Sequence, residues 1–470
     1  MAAEEQAHSN KPYVFEHFRL GYVGFAIPWA WVFELAHRRT SASSSYDNAA
    51  VLFLMLAAGM LFFVALRKFS KSGGVEKLLH WPMAILAAIS IVLISLPHLG
   101  VTVIPDVVGF AVAGVAGAFM YLSWVPFYSS VDLRSAVACA FASMVVSSVL
   151  KFALDVMPLL LGNVCLIALP LCLPYLLNQA SANMPPKDTP LIYFGSARQS
   201  FPYLVLLGVA VCAFVIGVAP AVSPNAVTEP IALYSFAQQS ISVLAALAVL
   251  WWVFAYRGKL HFTNTWRAIV IIVSTALLFL PNIDSELAGW ALVLVGVAQA
   301  ILVAVLWCML ADVAHHSSAN RFTVFGFAWV CYALPLALGR LAGGLLANLD
   351  NVVFVIALLS YALTVTGILS LNERNFIESQ IFRDLDMPET GHSMYASIDE
   401  GCEHLGARYK LTGREVEVLK LLCKGRSKSY IAETLVISEN TVRSHARHIY
   451  RKLDVHSKQD VMDMISEKKN

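Results

Sequence analysis

Apolar residues along this chain come in long unbroken runs, with neither the alternation of a half-buried strand nor the single stripe of a surface helix. Runs lie near residues 20–36, 49–66, 78–97, 107–127, 135–153 and 157–177, and again near 201–220, 231–256, 268–281, 288–311, 322–348 and 351–371. A helix needs about 20 apolar residues to cross a bilayer. The pattern therefore predicts twelve spans, six on each side of a longer polar stretch, Asn178 to Ser200, that holds Pro185, Pro186 and Lys187. The run at 268–281 is short and can start earlier. Nineteen mostly polar residues precede the first run and no small-residue cleavage site follows it, so a cleaved leader is not expected.

After Leu371 the pattern changes. Residues 372–404 read as a polar, acidic linker; through residue 408 the segment holds eight acidic against three basic residues, with Pro388 and Gly391 midway. Residues 409–470 reverse the balance, with thirteen Lys and Arg against eight Asp and Glu. A net charge of +5 on some sixty residues is the electrostatic footprint of a nucleic-acid binder.

The periodicity in this tail is helical and punctuated. Thr412-Gly-Arg-Glu415 is a capping box, followed by an amphipathic helix through Val416, Val418, Leu419, Leu421 and Leu422 that Gly425 ends. Ser427 caps a second short helix carrying Ile431, Ala432 and Leu435. Val436-Ile-Ser438 makes the turn, and Ser438 caps a third helix, Glu439 to Leu453. Its apolar face is Val442, Ile449 and Leu453; its other face holds Arg443, Ser444, Arg447, Arg451 and Lys452. A fourth helix is expected from about Lys458 to Glu467. Two short helices, a tight turn and a basic third helix are what a helix-turn-helix requires. The predicted fold class is all-α: a twelve-helix transmembrane bundle over 1–371, then a four-helix helix-turn-helix domain over 405–470.

Composition agrees with the runs. The chain is 58% apolar and 14% charged, against about 45–50% and about 25% in soluble domains. Thirteen Lys and Arg fall on one side of the predicted spans (Lys11, Arg19, Arg67, Lys68, Lys71, Lys77, Arg134, Lys187, Arg198, Arg257, Lys259, Arg267, Arg321) and four on the other (Arg38, Arg39, Lys151, Arg340). Basic loops stay in the cytoplasm. Both termini are thus expected there, in a cytoplasmic (inner) membrane, which puts the basic tail where DNA is. The eight cysteines form no CxxC pair, and six lie inside apolar runs as small buried hydrophobes. His315-His316 has no partner at metal-ligand spacing and reads as a solvated loop pair. No catalytic constellation, metal site or cofactor motif stands out, so no enzyme is expected.

Polar side chains inside apolar runs mark candidate ligand contacts, because they are expensive in lipid. Glu34, Lys151, Gln238, Gln239, Gln299 and Arg340 all fall between the outer face and the midplane. Trp29, Trp31, Tyr121 and Trp290 supply aromatic surface nearby. These residues suggest a polar cavity open to the outside for a small, amphipathic molecule. Snorkelling to the interface and bonds between neighbouring helices are the bland alternative.

Two resemblances follow. The six-plus-six layout, with the small-residue run Ala337-Leu-Gly-Arg340-Leu-Ala-Gly-Gly344-Leu-Leu-Ala347, resembles the major facilitator superfamily over roughly residues 15–371. The family's signature would hold an Asp and an Arg between glycines there; the loop Leu66-Arg-Lys-Phe-Ser-Lys-Ser-Gly-Gly74 is without that pattern, which weighs against transport more than against the fold. The tail closely resembles the LuxR-type DNA-binding domain, through Leu411-Thr-Gly-Arg-Glu-Val-Glu-Val-Leu419, Val436-Ile-Ser-Glu-Asn-Thr-Val-Arg-Ser-His-Ala-Arg-His-Ile449 and Lys452-Leu453-Asp-Val455. Ser457-Lys458 stands where that family often has Asn-Arg. The resemblance implies that Arg443, Ser444 and Arg447 read base edges of double-stranded DNA. It implies that Thr441, His445, Lys452 and Lys458 meet the phosphate backbone. It also implies a dimer on DNA through the last helix, with Val461, Met462 and Ile465. A membrane half joined to such a domain resembles the membrane-bound LuxR-type regulators of bacteria. The expectation is a one-component sensor responding to a small-molecule inducer. A transporter with a secondary regulatory tail, and a bundle that only anchors the tail, are the alternatives.

Overall fold

In a computed structural model the chain is described at residues 19–37, 47–69, 75–99, 105–182, 203–222, 231–254, 262–280, 285–317, 320–346, 352–370, 399, 401–424, 428–435, 437–455, 460, 461 and 464. Every apolar run carries a helix: α1 Ala26–His37, α2 Asn48–Phe69, α3 Val75–Ser95, α4 Asp106–Leu122, α5 Leu133–Val156, α6 Leu159–Ala182, α7 Tyr203–Val218, α8 Ile231–Phe254, α9 Phe262–Phe279, α10 Ser285–His315, α11 Arg321–Leu346 and α12 Val352–Ser370. Among the described residues, seven helices are long and apolar enough to cross a membrane. Stretches of α3, α7, α9 and α12 are shorter apolar helices, and α1 has 12 residues. The short run at 268–281 does begin earlier, at Phe262. No strand occurs among the described residues.

The helices are apolar nearly all round, which suits a hydrocarbon surrounding better than water. Leu160, Leu345, Phe354 and Tyr361 lie wide open on the outside of the bundle. Trp124, Trp307, Trp329 and Tyr128 are fully buried in its centre.

The two halves repeat each other. In the first, α1 packs on α5, α2 on α4, α3 on α4, and α3 on α6. Six helices later the same pairs recur: α7 on α11, α8 on α10, α9 on α10, and α9 on α12. The halves meet through α2 with α11 and α5 with α8, and each of these pairs is the repeat of the other. Internal repeats of this kind build many membrane folds.

Glycine sets the closest approaches. A Cβ on Gly114 would run into the Leu52 carbonyl of α2. One on Gly339, inside the small-residue run, would run into the Phe214 carbonyl of α7. Without Cβ atoms the backbones touch, the usual way helices associate where lipid removes a hydrophobic drive.

The C-terminal domain is a separate small core. Its helices are α13 Gly413–Cys423, α14 Lys428–Leu435 and α15 Glu439–Leu453. Val418, Leu419, Ile431, Val442, Ile449 and Leu453 form its centre. A further helix at 401–408 joins this core through Cys402 and Leu405. Glu403 pairs with Lys420 at 2.7 Å and Asp399 with Lys424 at 2.8 Å. Packing therefore begins before residue 405, inside the stretch that its polarity marks as linker. Residues 371–398 lie outside the described residues.

Candidate nucleic-acid interface and membrane cavity

The third helix of the tail is held by caps at both ends. Ser438 Oγ accepts from the Thr441 amide at 3.1 Å, and Asp454 turns left-handed (φ 55°) at the C-terminus. Burying Val442, Ala446, Ile449 and Leu453 turns the opposite face outward. That face exposes Thr441, Arg443, Ser444, Arg447, His448 and Arg451. Arg443 is held loosely, 3.9 Å from Glu439 on the same face, and stays 58% exposed. Arg443, Ser444 and Arg447 thus share one open surface, as a base-reading role needs. His448 and Arg451 extend the polar surface along the helix.

The first helix fixes this one. Thr412 and Glu415 form both halves of the capping box: Thr412 Oγ1 accepts from the Glu415 amide at 3.3 Å, and Glu415 Oε2 accepts from the Thr412 amide at 2.7 Å. The same Oε2 also accepts from Lys452 Nζ at 2.6 Å. Burial pushes the Glu415 carboxyl up. The bond from Lys452, the two from Thr412 and the Lys452 charge outweigh it and bring the carboxyl down to about 2. Arg414 reaches the Leu435 carbonyl at the end of α14.

Two of the expected DNA contacts also have partners within the domain. Lys452, expected on the phosphates, ties α15 to α13 through Glu415 and makes a further contact to the Lys410 carbonyl at 3.4 Å. The Thr441 hydroxyl is engaged with Ser438 Oγ at 2.8 Å, the local bond that a capping position invites. His445 is half-buried. Lys458, Met462 and Ile465 lie outside the described residues. Val461, expected at a dimer surface, is buried in the domain's own core.

Residues 409–465 match the family model of bacterial regulatory proteins, luxR family. The C-terminal domain is a LuxR-type helix-turn-helix. Its relatives include the uncharacterized response regulatory protein YgeK of Escherichia coli (strain K12), 36% identical over 83 residues, which are 17% of this chain and 56% of that protein. The oxygen regulatory protein NreC of Staphylococcus haemolyticus is 42% identical over 59 residues, 13% of this chain and 27% of NreC. The nitrate/nitrite response regulator protein homolog of Haemophilus influenzae is 50% identical over 48 residues, 10% of this chain and 23% of that protein. The chain thus spans from about half down to a quarter of these relatives. The bundle has likenesses among solved structures. FucP, a major facilitator superfamily transporter in its outward conformation, aligns at 11% identity and TM-score 0.48, over 74% of this chain and 97% of FucP. The human organic anion transporter MFSD10 (TETRAN) aligns at 12% identity and TM-score 0.42, over 75% and 97%.

Inside the bundle, α1, α5, α8 and α10 line a narrow cavity of about 20 Å³, room for about one water. Of the six expected ligand contacts, Lys151, Gln238, Gln239 and Gln299 line it. Glu34 is buried and acts electrostatically on Lys151 without lining the cavity. Arg340 is drawn away, paired with Asp47 at 3.4 Å. Among the aromatics, Trp29 lines the cavity and Trp31 donates to the Leu166 carbonyl at 2.9 Å. Trp290 is exposed, edge-on to Tyr234. The sequence reading missed Phe33, His37, Ser147, Ser148 and Ser242, which also line it. Trp29, Phe33 and His37 recur every four residues, so a helical spacing counted from Trp29 finds all three.

Tyr121 and three tryptophans lie in a close-packed aromatic cluster next to this cavity. Trp307 stacks on Phe25 at 4.2 Å, and Trp329 lies 4.7 Å from Tyr121. Phe25 in turn meets Trp29 at 5.8 Å, and Gln299 donates to the Tyr332 hydroxyl at 2.9 Å. The Tyr121 hydroxyl and the indole N–H groups of Trp124, Trp307 and Trp329 are buried without an acceptor.

The histidine pair is not solvated. His315 bonds the Ser129 carbonyl at 3.0 Å, and His316 is buried 3.6 Å from Asp312. No group of three metal-ligating side chains occurs among the described residues.

Proposed function

We propose that the chain is a membrane-embedded one-component transcription regulator. All twelve helices α1–α12 cross a bacterial cytoplasmic membrane, with both termini in the cytoplasm. The bundle holds a small-molecule inducer in its polar cavity, and occupancy changes how the tail engages double-stranded DNA. The tail acts as a dimer, with Arg443, Ser444 and Arg447 at base edges and Thr441, His445, Lys452 and Lys458 along the backbone.

One observation carries the reading: an open basic helix face of LuxR type shares a chain with a bundle that buries Lys151, Gln239 and Gln299. Polar groups at that depth are costly and mark ligand or ion paths. Twelve crossings are more than an anchor needs. No segment between the bundle and the tail is long enough for a phosphate-accepting receiver domain. The signal therefore enters through the membrane part.

The test is formaldehyde crosslinking of the full-length protein in its own cells, followed by sequencing of DNA recovered from the membrane fraction. A discrete set of promoters is expected, lost with Arg443→Ala and Arg447→Ala. Transcripts from those promoters should shift with Gln239→Leu or Gln299→Leu while the protein still inserts. Recovery of no promoter rejects the regulator. Wild-type transcripts in both glutamine variants reject the cavity as the signal site.

A further inference from the structure

The C-terminal domain divides its cations. Arg414, Lys420, Lys424 and Lys452 each lie within 2.8 Å of a carboxylate oxygen, from Glu417, Glu403, Asp399 and Glu415 in turn. Part of their charge is answered inside the domain. Arg447 and Arg451 are exposed on α15 and make no hydrogen bond or ion pair among the described residues. With the loosely held Arg443 they recur at every fourth position, which on a helix is one slowly winding stripe.

Distance along the stripe separates the roles. Arg451 lies about 12 Å beyond Arg443 along the axis, at about 1.5 Å per residue. The major groove is itself about 12 Å wide. A recognition helix meets base edges with its N-terminal part. One that holds Arg443 there brings Arg451 out to the rim of the groove, where the phosphates run. The next residue, Lys452, is turned toward α13 by its bond to Glu415. A guanidinium is always charged, and its planar fork matches two oxygens of a phosphate.

We infer that Arg451 is a phosphate-binding residue of the DNA interface and clamps the C-terminal end of α15 to the duplex backbone. It adds to the backbone residues proposed above, and it rests on the reading that the tail binds double-stranded DNA through α15. Such a contact orients the helix and reads no sequence. A cation in the last turn also suits the helix dipole. That role by itself would act on stability and leave the salt dependence of binding untouched.

The test uses full-length protein in lipid nanodiscs and a random-sequence DNA duplex, with binding read by fluorescence anisotropy over a series of potassium chloride concentrations. Random DNA suffices because backbone binding is independent of sequence. The logarithm of the binding constant falls linearly with the logarithm of salt concentration, by about 0.9 for each phosphate neutralised. Arg451→Gln is expected to weaken binding and make that slope shallower by about one unit. Arg451→Lys keeps the charge and should keep the native slope. A native slope in Arg451→Gln overturns the assignment, and binding by the native protein still leaves the tail a DNA reader. A lysine variant as shallow as the glutamine one traces the loss to shape and overturns it too. A native protein that binds no duplex overturns the DNA-reading role itself, and this contact with it.

Discussion

At the scale of single residues, Lys452 and Arg443 lie on one helix and do different work. Arg443 is open; in the proposed base-reading role its guanidinium fork pairs with guanine, so Arg443→Ala should cost about 1–3 kcal/mol on the preferred operator and relax base choice at one position. Band shifts on specific and random DNA measure this; equal loss on both would mean the helix lies differently. Lys452 holds Glu415, which is 4% exposed. Removing it leaves a buried carboxylate short of its cation, so Lys452→Met should lower the unfolding midpoint of the domain as well as weaken DNA binding. The carboxyl sits at about 2 in the folded domain against an ordinary 4.5. Its contribution is complete above pH 4.5 and is lost as the pH falls through about 2. Because Lys452 is 38% exposed, screening reduces that contribution to about 1–2 kcal/mol. Denaturant melts of fragment 399–470 between pH 6 and 2 should show a decline that Glu415→Gln lacks.

At the scale of elements, the helix contacts that matter most in lipid are those where no side chain intervenes. Gly339 meets the Phe214 carbonyl across α11 and α7, and Gly114 the Leu52 carbonyl across α4 and α2. Either glycine replaced by leucine should force its helices apart. Expected results are loss of folded protein in the membrane fraction and a melting transition lowered by several degrees or absent. Replacing Gly344, which has open space around it, should change little. A normal melt for Gly339→Leu would show that the α7–α11 contact is looser than described. In the tail, the capping box could be read from Thr412 and Glu415 alone because it needs only local spacing. The third partner, Lys452, comes from 37 residues away and leaves no local signature.

At the scale of the molecule, a bundle and a DNA reader in one chain predict a fixed topology. Reporter fusions that report only in the cytoplasm should be active after residues 71, 187 and 257 and silent after 40, 100 and 225. The reverse pattern would strand the tail away from DNA. Fragment 399–470 should be monomeric in solution, since Val461 is committed to its own core. Full-length protein should protect two half-sites about 10 base pairs apart. A single protected half-site would count against a dimer on the operator.

The amino-acid sequence by itself determined where helices form in the bundle, because unbroken apolar runs of that length have no other stable form in a bilayer. It determined the type of the C-terminal domain, because caps, turn and apolar face are all set within a few residues of one another. It also nominated the polar side chains inside the membrane. Only the tertiary structure decided which of them share a cavity. Lys151, Gln238, Gln239 and Gln299 face one space, while Arg340 is claimed by Asp47, 293 residues away in sequence. Depth along a helix follows from residue number; the direction a side chain faces, and the partner that takes it, follow from how helices of the two halves pack.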